Sequence, residues 1–360
     1  MKKIAYLLIA FVLVGAFEYD VYGQMNRKNI KRNNKRIGNY KGRKSHFDKN
    51  KVYNSIGISL NAFNYYGDLS PSPKRISTDL SLTRPAIGVS FVHRFGPRYQ
   101  LVGSFMYGGI RGSDNDSADP EDTKNGVFRY NRNLSFRNRI KELSVVAQVD
   151  LFENQSTYIS RVKWTPYIYA GLAVFHHNPQ AQVPKFEVDG VTPLPNAGEW
   201  VDLQPLGTEG QNADLDPTAV NHGLKPYKRI QFAIPFGFGA RFRINEVLDL
   251  SGEFGFRYTF TDYLDDVSAN YVDLGVFGGD EVARALSYRS NEVAIPNRTY
   301  IGTDGQTYNV LVGYGEEYAG SGGGDPGNVR GNRDNKDIYM VTTVRLTYIL
   351  GKTFHRAKFR

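Results

Sequence analysis

The sequence predicts an all-β chain: an eight-stranded antiparallel transmembrane β-barrel with short periplasmic turns and long extracellular loops. Three observations predict it. Bulky apolar residues alternate with small or polar ones at period two, the signature of extended strands with two different faces. The alternating segments reach or exceed the roughly 9–11 residues that a tilted membrane strand requires, whereas strands of soluble proteins run to about five or six. The connections between them alternate short and long, so that all long loops share one end of an antiparallel barrel and all short turns the other.

Composition agrees. The 360 residues include 24 Tyr, 22 Phe and 37 Gly against 4 Met, a balance that favours strands over helices. Mean hydropathy is −0.44, but alternating strands cancel in an average, so this value does not exclude a membrane barrel. The absence of Cys excludes thiol catalysis, thiolate metal sites, disulfides and a lipid-modified N-terminal Cys.

Residues 1–23 read as a secretory signal: Lys2 and Lys3 precede an apolar run over 4–17, and small Gly23 follows. That run falls short of the roughly 20 apolar residues that span a bilayer. Residues 24–51 form a basic arm expected to be disordered and periplasmic. Between 25 and 51, eleven Lys or Arg face one Asp, a surplus of ten; with a formal charge of +9 for the chain and a balanced signal, the body after residue 51 sums to −1. Such a block self-repels and lacks the apolar residues for a core. It is either a solvated linker or an electrostatic contact through Arg27, Lys28, Lys31, Arg32, Lys35, Arg36, Lys41, Arg43 and Lys44 with an acidic protein or anionic lipid. Nucleic acid is not an expected partner, because only Tyr40 and Phe47 are available for stacking and the chain is exported.

The barrel is expected over 52–350. Its first strand, about 53–66, sets Ile56, Ile58, Leu60 and Ala62 against Ser55, Gly57, Ser59 and Asn61. The second (85–95) and third (98–110) set Ile87, Val89, Phe91, Leu101, Phe105 and Tyr107 outward. The fourth (140–152) places Leu143, Val145 and Val149 opposite Glu142, Ser144 and Asp150, and the fifth (164–177) is the least regular. The sixth, "RIQFAIPFGFGARFRI" at 229–244, puts Phe232, Phe236 and Phe238 on the lipid face and Gly237, Gly239 and Arg241 inside. The seventh (247–260) directs Phe254 and Phe256 outward and Glu253 and Arg257 inward; the last (338–350) has Arg345 inside and ends in a basic tail, 351–360. A small lumen admits only small or polar groups, so Arg241 is expected to meet Glu253 or Glu142. Tyr99, Trp164, Tyr167, Phe260 and Tyr339 suit interfacial girdles or, equally, core packing. An even strand count returns both termini to the periplasmic side.

Long loops fall at 67–84, 111–138, 178–228 and 261–337. "GSDNDSADPEDTKNG" at 112–126 is oxygen-rich but lacks calcium-loop spacing and reads as a solvated loop. "SGGGDPG" at 321–327 lacks the Lys and helix of a phosphate cradle. His176 and His177 face opposite ways on a strand, which disfavours joint metal ligation. Asp262, Asp265 and Asp266, with His222, offer the one carboxylate group placed for hydrolysis; carboxylates that cap amides and pair with Arg257 explain them more simply. No catalytic residue, cofactor or metal is assigned.

Six stretches occur in a fixed order: "FNYYGDLSP" (63–71), "TRPAIGVSF" (83–91), "RNLSFRNRIKELS" (132–144), "TPYIYAGLAVFHHNP" (165–179), "WVDLQPLGTEGQ" (200–211), and "IPFGFGARFRINE" running into "FRYTFTDYLDDVSANYVD" (to 273). In these the chain resembles the PorG-like outer-membrane proteins of the type IX secretion and gliding machinery of Bacteroidetes. The resemblance implies a non-enzymatic barrel that docks a periplasmic ring, built from a lipoprotein and its partner, to the outer membrane of a Gram-negative cell. The long basic arm and the Gly-rich 320s depart from the family. A surface adhesin or ligand binder acting through loops 178–228 and 261–337 is the alternative.

Overall fold

The computed structural model describes residues 51–70, 82–123, 126–314 and 329–350. The signal, the basic arm through residue 50, the stretch at 321–327 and the tail at 351–360 lie outside these residues. In chain order the strands are β1 (Tyr53–Tyr66), β2 (Arg84–Arg94), β3 (Tyr99–Ser113), β4 (Ser135–Asp150), β5 (Trp164–His176), β6 (Pro179–Gln182), β7 (Trp200–Asp202), β8 (Ile230–Arg243), β9 (Leu248–Thr259), β10 (Arg298–Ile301), β11 (Thr307–Val310) and β12 (Ile338–Leu350). Eight of them close on themselves, each antiparallel to both neighbours, in the circular order β1-β2-β3-β4-β5-β8-β9-β12.

The registers give the closure its geometry. A walk through directly paired residues runs Asn54, His93, Leu101, Ala147, Ala170, Phe236, Phe256, Met340 and returns to β1 at Asn64, ten residues from its start. Ten residues of ~3.3 Å rise spread over eight strand spacings of ~4.8 Å require a strand tilt of about 40°. This is a closed eight-stranded barrel.

Its two faces carry opposite chemistry. Burial alternates residue by residue along β4 and β12, with Glu142, Asp150, Thr343 and Arg345 inside. Outside, Ile58 (64% exposed), Ile87 (62%), Leu172 (71%), Phe232 (62%) and Phe238 (59%) belong to an apolar belt shared by all eight strands. Water does not tolerate a continuous belt of that kind, whereas hydrocarbon does, and closure leaves the backbone no unpaired edge. No helix among the described residues is long and apolar enough to cross a membrane.

Local sequence sets the inner shape. Tyr167 and Tyr169 of β5 lie across the lumen over Gly239, Gly237 and Gly255; a Cβ on Gly255 would sit 2.0 Å from the Tyr169 hydroxyl oxygen. The small inward residues of β8 and β9 are therefore the space those two rings occupy. Pro235 has no N–H, and the β5–β8 ladder skips Gly171 and Leu172 opposite Ile234 and Pro235.

The structure differs from the sequence reading at several points. Strands β3 and β4 extend to Ser113 and start at Ser135, beyond the expected 110 and 140, because hydrogen-bonded pairing continues past the apolar belt where Arg111, Arg137 and Arg139 interrupt the hydrophobic pattern. Tyr167 and Tyr339 are buried in the lumen and not in a girdle, whereas Tyr99, Trp164 and Phe260 are exposed near strand ends. Residues 178–228 and 261–314 are not simple loops but a folded cap. It contains β6 and β7, which extend the sheet from the first residues of β4, a helix at Glu281–Ser287 and the β10–β11 hairpin. One core runs from barrel residues Phe63, Ile140, Phe175 and Tyr339 into cap residues Leu203, Leu264 and Leu286, so the cap fills the barrel mouth.

Candidate functional site

Three regions are candidates: the lumen, the long-loop end and the short-turn end. In the lumen the expected interior charges pair in tiers. Asp150 receives Arg94 (2.9 Å) and Arg241 (2.7 Å); Glu253 receives Arg345 (2.7 Å) and the Tyr167 hydroxyl (2.8 Å); Glu142 receives Arg257 (3.0 Å) and the Tyr339 hydroxyl (2.5 Å). Arg241 thus meets Asp150, not Glu253 or Glu142. The tilt explains this: the strand carrying Arg241 meets Glu253 only at the tier where Arg345 already holds it. Desolvating each ion costs several kcal/mol, so every charge needs a partner and hydrogen bonds, and these have both. The lumen cavity around Arg241, Asp249 and Arg345 measures only about 20 Å³, room for about one water.

At the long-loop end the rim aspartates sit inside the cap. Asp265 and Asp337 both lie against the Tyr65 hydroxyl, at 2.6 and 3.0 Å. Burial, and after it the negative charge of Asp68 and Asp262, hold both carboxyls well above the ordinary carboxylate range, and Asp265 adds to the effect on Asp337. Burial pushes Asp262 up to about 7 and Asp266 up to about 6, the latter against the opposing pull of Arg330. Asp266 accepts from Thr208 and Tyr227, and Arg330 joins Glu209 (3.0 Å) to the Asp266 carbonyl (2.6 Å). None of these carboxylates pairs with Arg257, which is held deeper by Glu142. His222 does not approach them; its Nδ1 lies 3.0 Å from the Leu215 carbonyl. Asp114, expected in a solvated loop, is fully buried and clamped by Arg129 (3.3 Å) and Arg132 (2.8 Å) of the helix Gly126–Arg132. No sequence period marks that pair, since the helix that carries the arginines follows an unpatterned loop.

His177 is buried with Nε2 3.1 Å from the Lys228 carbonyl, and burial pushes it down to about 4, so it is neutral. Among the described residues no group of three or more His, Cys, Asp or Glu is arranged to hold a metal ion. The cap has a cavity of about 530 Å³ between residues 182–198 and 285–292, lined by Phe186, Glu187, Tyr288, Arg289 and Glu292. That is the size of small-molecule sites. Sequence reasoning missed it, because its walls come from segments about 90 residues apart.

The short-turn end is stitched by two arginines. Arg94 donates to the carbonyls of Pro97 (2.6 Å) and Asn154 (3.5 Å), joining the β2–β3 turn to the β4–β5 turn. Arg161 donates to Glu246 (2.8 Å), Asn245 (3.4 Å) and Asp249 (2.6 Å), joining that turn to the β8–β9 turn. Phe95, Phe152, Ile159, Val162 and Ile244 stand exposed around this surface. The pairing of Asn54 with Leu350 brings the first and last strand ends to the same side. The arm residues Arg27 through Lys44 proposed for partner binding lie outside the described residues.

A family described as a domain of unknown function, DUF6089, matches residues 44–187. No curated protein matches the chain. Among solved structures it is similar to Ail, the attachment invasion locus protein of Yersinia pestis (8% identity, covering 83% of this chain and 99% of that one, TM-score 0.32). It is also similar to two Pseudomonas aeruginosa proteins: the N-terminal β-barrel domain of OprF (9% identity, 83% and 99%, TM-score 0.30) and the outer membrane protein OprG (7%, 84% and 98%, TM-score 0.32). The barrel assignment rests on the strand pairing itself.

Proposed function

We propose that this chain is a non-enzymatic outer-membrane component of a type IX secretion machine that docks a periplasmic ring, built around a lipoprotein, to the membrane. The observation that carries the reading is the contrast between a filled lumen and a stitched short-turn end. A barrel whose interior is packed with paired charges and capped by a folded domain has only its ends and wall for function. Both strand ends nearest the termini lie at the stitched end, where the basic arm would join the contact by charge. In this orientation the short turns and both termini face the periplasm and the apolar belt meets outer-membrane lipid.

The test is a pull-down from detergent-solubilised envelope. The full chain is expected to retain the ring lipoprotein, and a variant lacking residues 25–51 to retain less, with the difference shrinking as salt rises. A full chain that retains no ring protein overturns the proposal. The cavity of about 530 Å³ favours a second reading, a ligand-binding surface protein acting through the cap. Replacing residues 183–199 by a short linker separates the two: a ligand binder loses binding and keeps export, whereas a secretion component keeps ring retention.

A further inference from the structure

The outer wall of the barrel is apolar on nearly every strand, but not on β3, β4 and β5 at their long-loop ends. There the outward positions of β4 read Arg137, Arg139, Lys141 and then Leu143 and Val145, the last two exposed within the belt. Arg111 of β3 stands directly opposite Arg137, and His176 of β5 directly opposite Lys141. Like charges facing each other across a ladder destabilise a sheet. Only partial internal relief exists: Arg111 reaches Asp116 at 2.9 Å, and Arg137 bonds Gln180 (3.0 Å) and stacks on Trp200 (3.9 Å). Arg139 and Lys141 are exposed and have no ion-pair partner among the described residues.

The geometry also leaves a place for an anion. Gly109 is the residue opposite Arg139, and a Cβ there would meet nothing closer than the Asn138 carbonyl oxygen at 3.5 Å. The missing side chain makes a notch in the wall. Arg139 faces it directly, Arg111 sits one pleat above, and Arg137 and Lys141 are diagonal neighbours, within about 7–8 Å. Tyr107 forms its lower edge, and Phe105, Leu143 and Val145 continue downward as apolar wall.

We propose that this notch binds a phosphate of a membrane glycolipid, the phosphorylated lipid A of the outer leaflet, whose acyl chains lie on Phe105, Leu143 and Val145. The position selects the ligand: a soluble anion has no reason to sit at the upper boundary of the belt, whereas a lipid phosphate lies there with its chains in hydrocarbon. The proposal needs the long-loop end to face outward but is independent of the secretion role.

The full chain, purified in detergent, is titrated with bisphosphorylated lipid A, its dephosphorylated form and phosphatidylglycerol, and bound lipid is counted by native mass spectrometry. Wild type is expected to prefer bisphosphorylated lipid A over both others by at least tenfold. The Arg139→Gln, Lys141→Gln double variant is expected to lose about fivefold for each base, roughly twenty-five-fold together. Gly109→Leu fills the notch while keeping every charge, is expected to lose affinity comparably, and carries the test if the double variant does not fold. Lys225→Gln, an exposed base in the cap, is expected to change nothing. Equal binding of the dephosphorylated lipid, equal binding of phosphatidylglycerol, or unchanged affinity in both notch variants overturns the proposal.

Discussion

At Asp262 the chain keeps a carboxyl that burial pushes up to about 7, and the sign of its effect on stability follows. The folded state holds the proton at pH values where the unfolded chain, near 3.8, has released it. The contribution is fully present below about 4 and is lost as pH rises toward 7. Asp266, pushed up to about 6, acts in the same direction. Thermal melting of the cap, followed by near-ultraviolet circular dichroism, is expected to favour Asp262→Asn over wild type increasingly from pH 4 to pH 7 and by a constant margin above that. A margin that shrinks with rising pH would show the carboxylate to be stabilised as an anion.

Among the elements, β5, β8 and β9 form a unit in which two tyrosines replace the side chains that their neighbours lack. Adding one methyl at Gly255 forces it against the Tyr169 hydroxyl at 2.0 Å and its Cζ at 2.9 Å. Gly255→Ala is therefore expected to destabilise the barrel by about 1–3 kcal/mol, the usual cost of overpacking. Tyr169→Phe in that background removes the closest atom and restores part of the loss. Urea unfolding in lipid vesicles measures both, and a Gly255→Ala barrel as stable as wild type would disprove the ring-over-glycine packing. The glycines were legible in the sequence as small inward positions. Their occupants were not, because Tyr167 read equally well as a girdle residue until the register placed it inside.

For the whole molecule, a lumen cavity of about 20 Å³ beneath a packed cap predicts that the protein reconstituted in a planar bilayer passes no steady ionic current. Discrete conductance steps in wild-type protein would contradict the sealed lumen. The cap also changes what the long segments mean. Residues 261–314 supply the core residues Leu264 and Leu286 and the Asp265 carboxylate against Tyr65, so this end is continuous with the barrel rather than appended to it.

Period-two alternation alone determined the eight strands, their facing and the alternation of short and long connections, because side-chain direction in a strand is a local property of the backbone. It assigned Glu142, Asp150, Arg241, Glu253, Arg257 and Arg345 to one face but not to partners, and the Glu253 or Glu142 it expected for Arg241 is not the one the residue meets. Partners were decided by the ten-residue offset of closure, which sets the heights at which distant strands meet and gave Arg241 to Asp150. The cap, its cavity and the basic notch beside Gly109 likewise arise only when segments far apart in sequence come together, and no local pattern records that meeting.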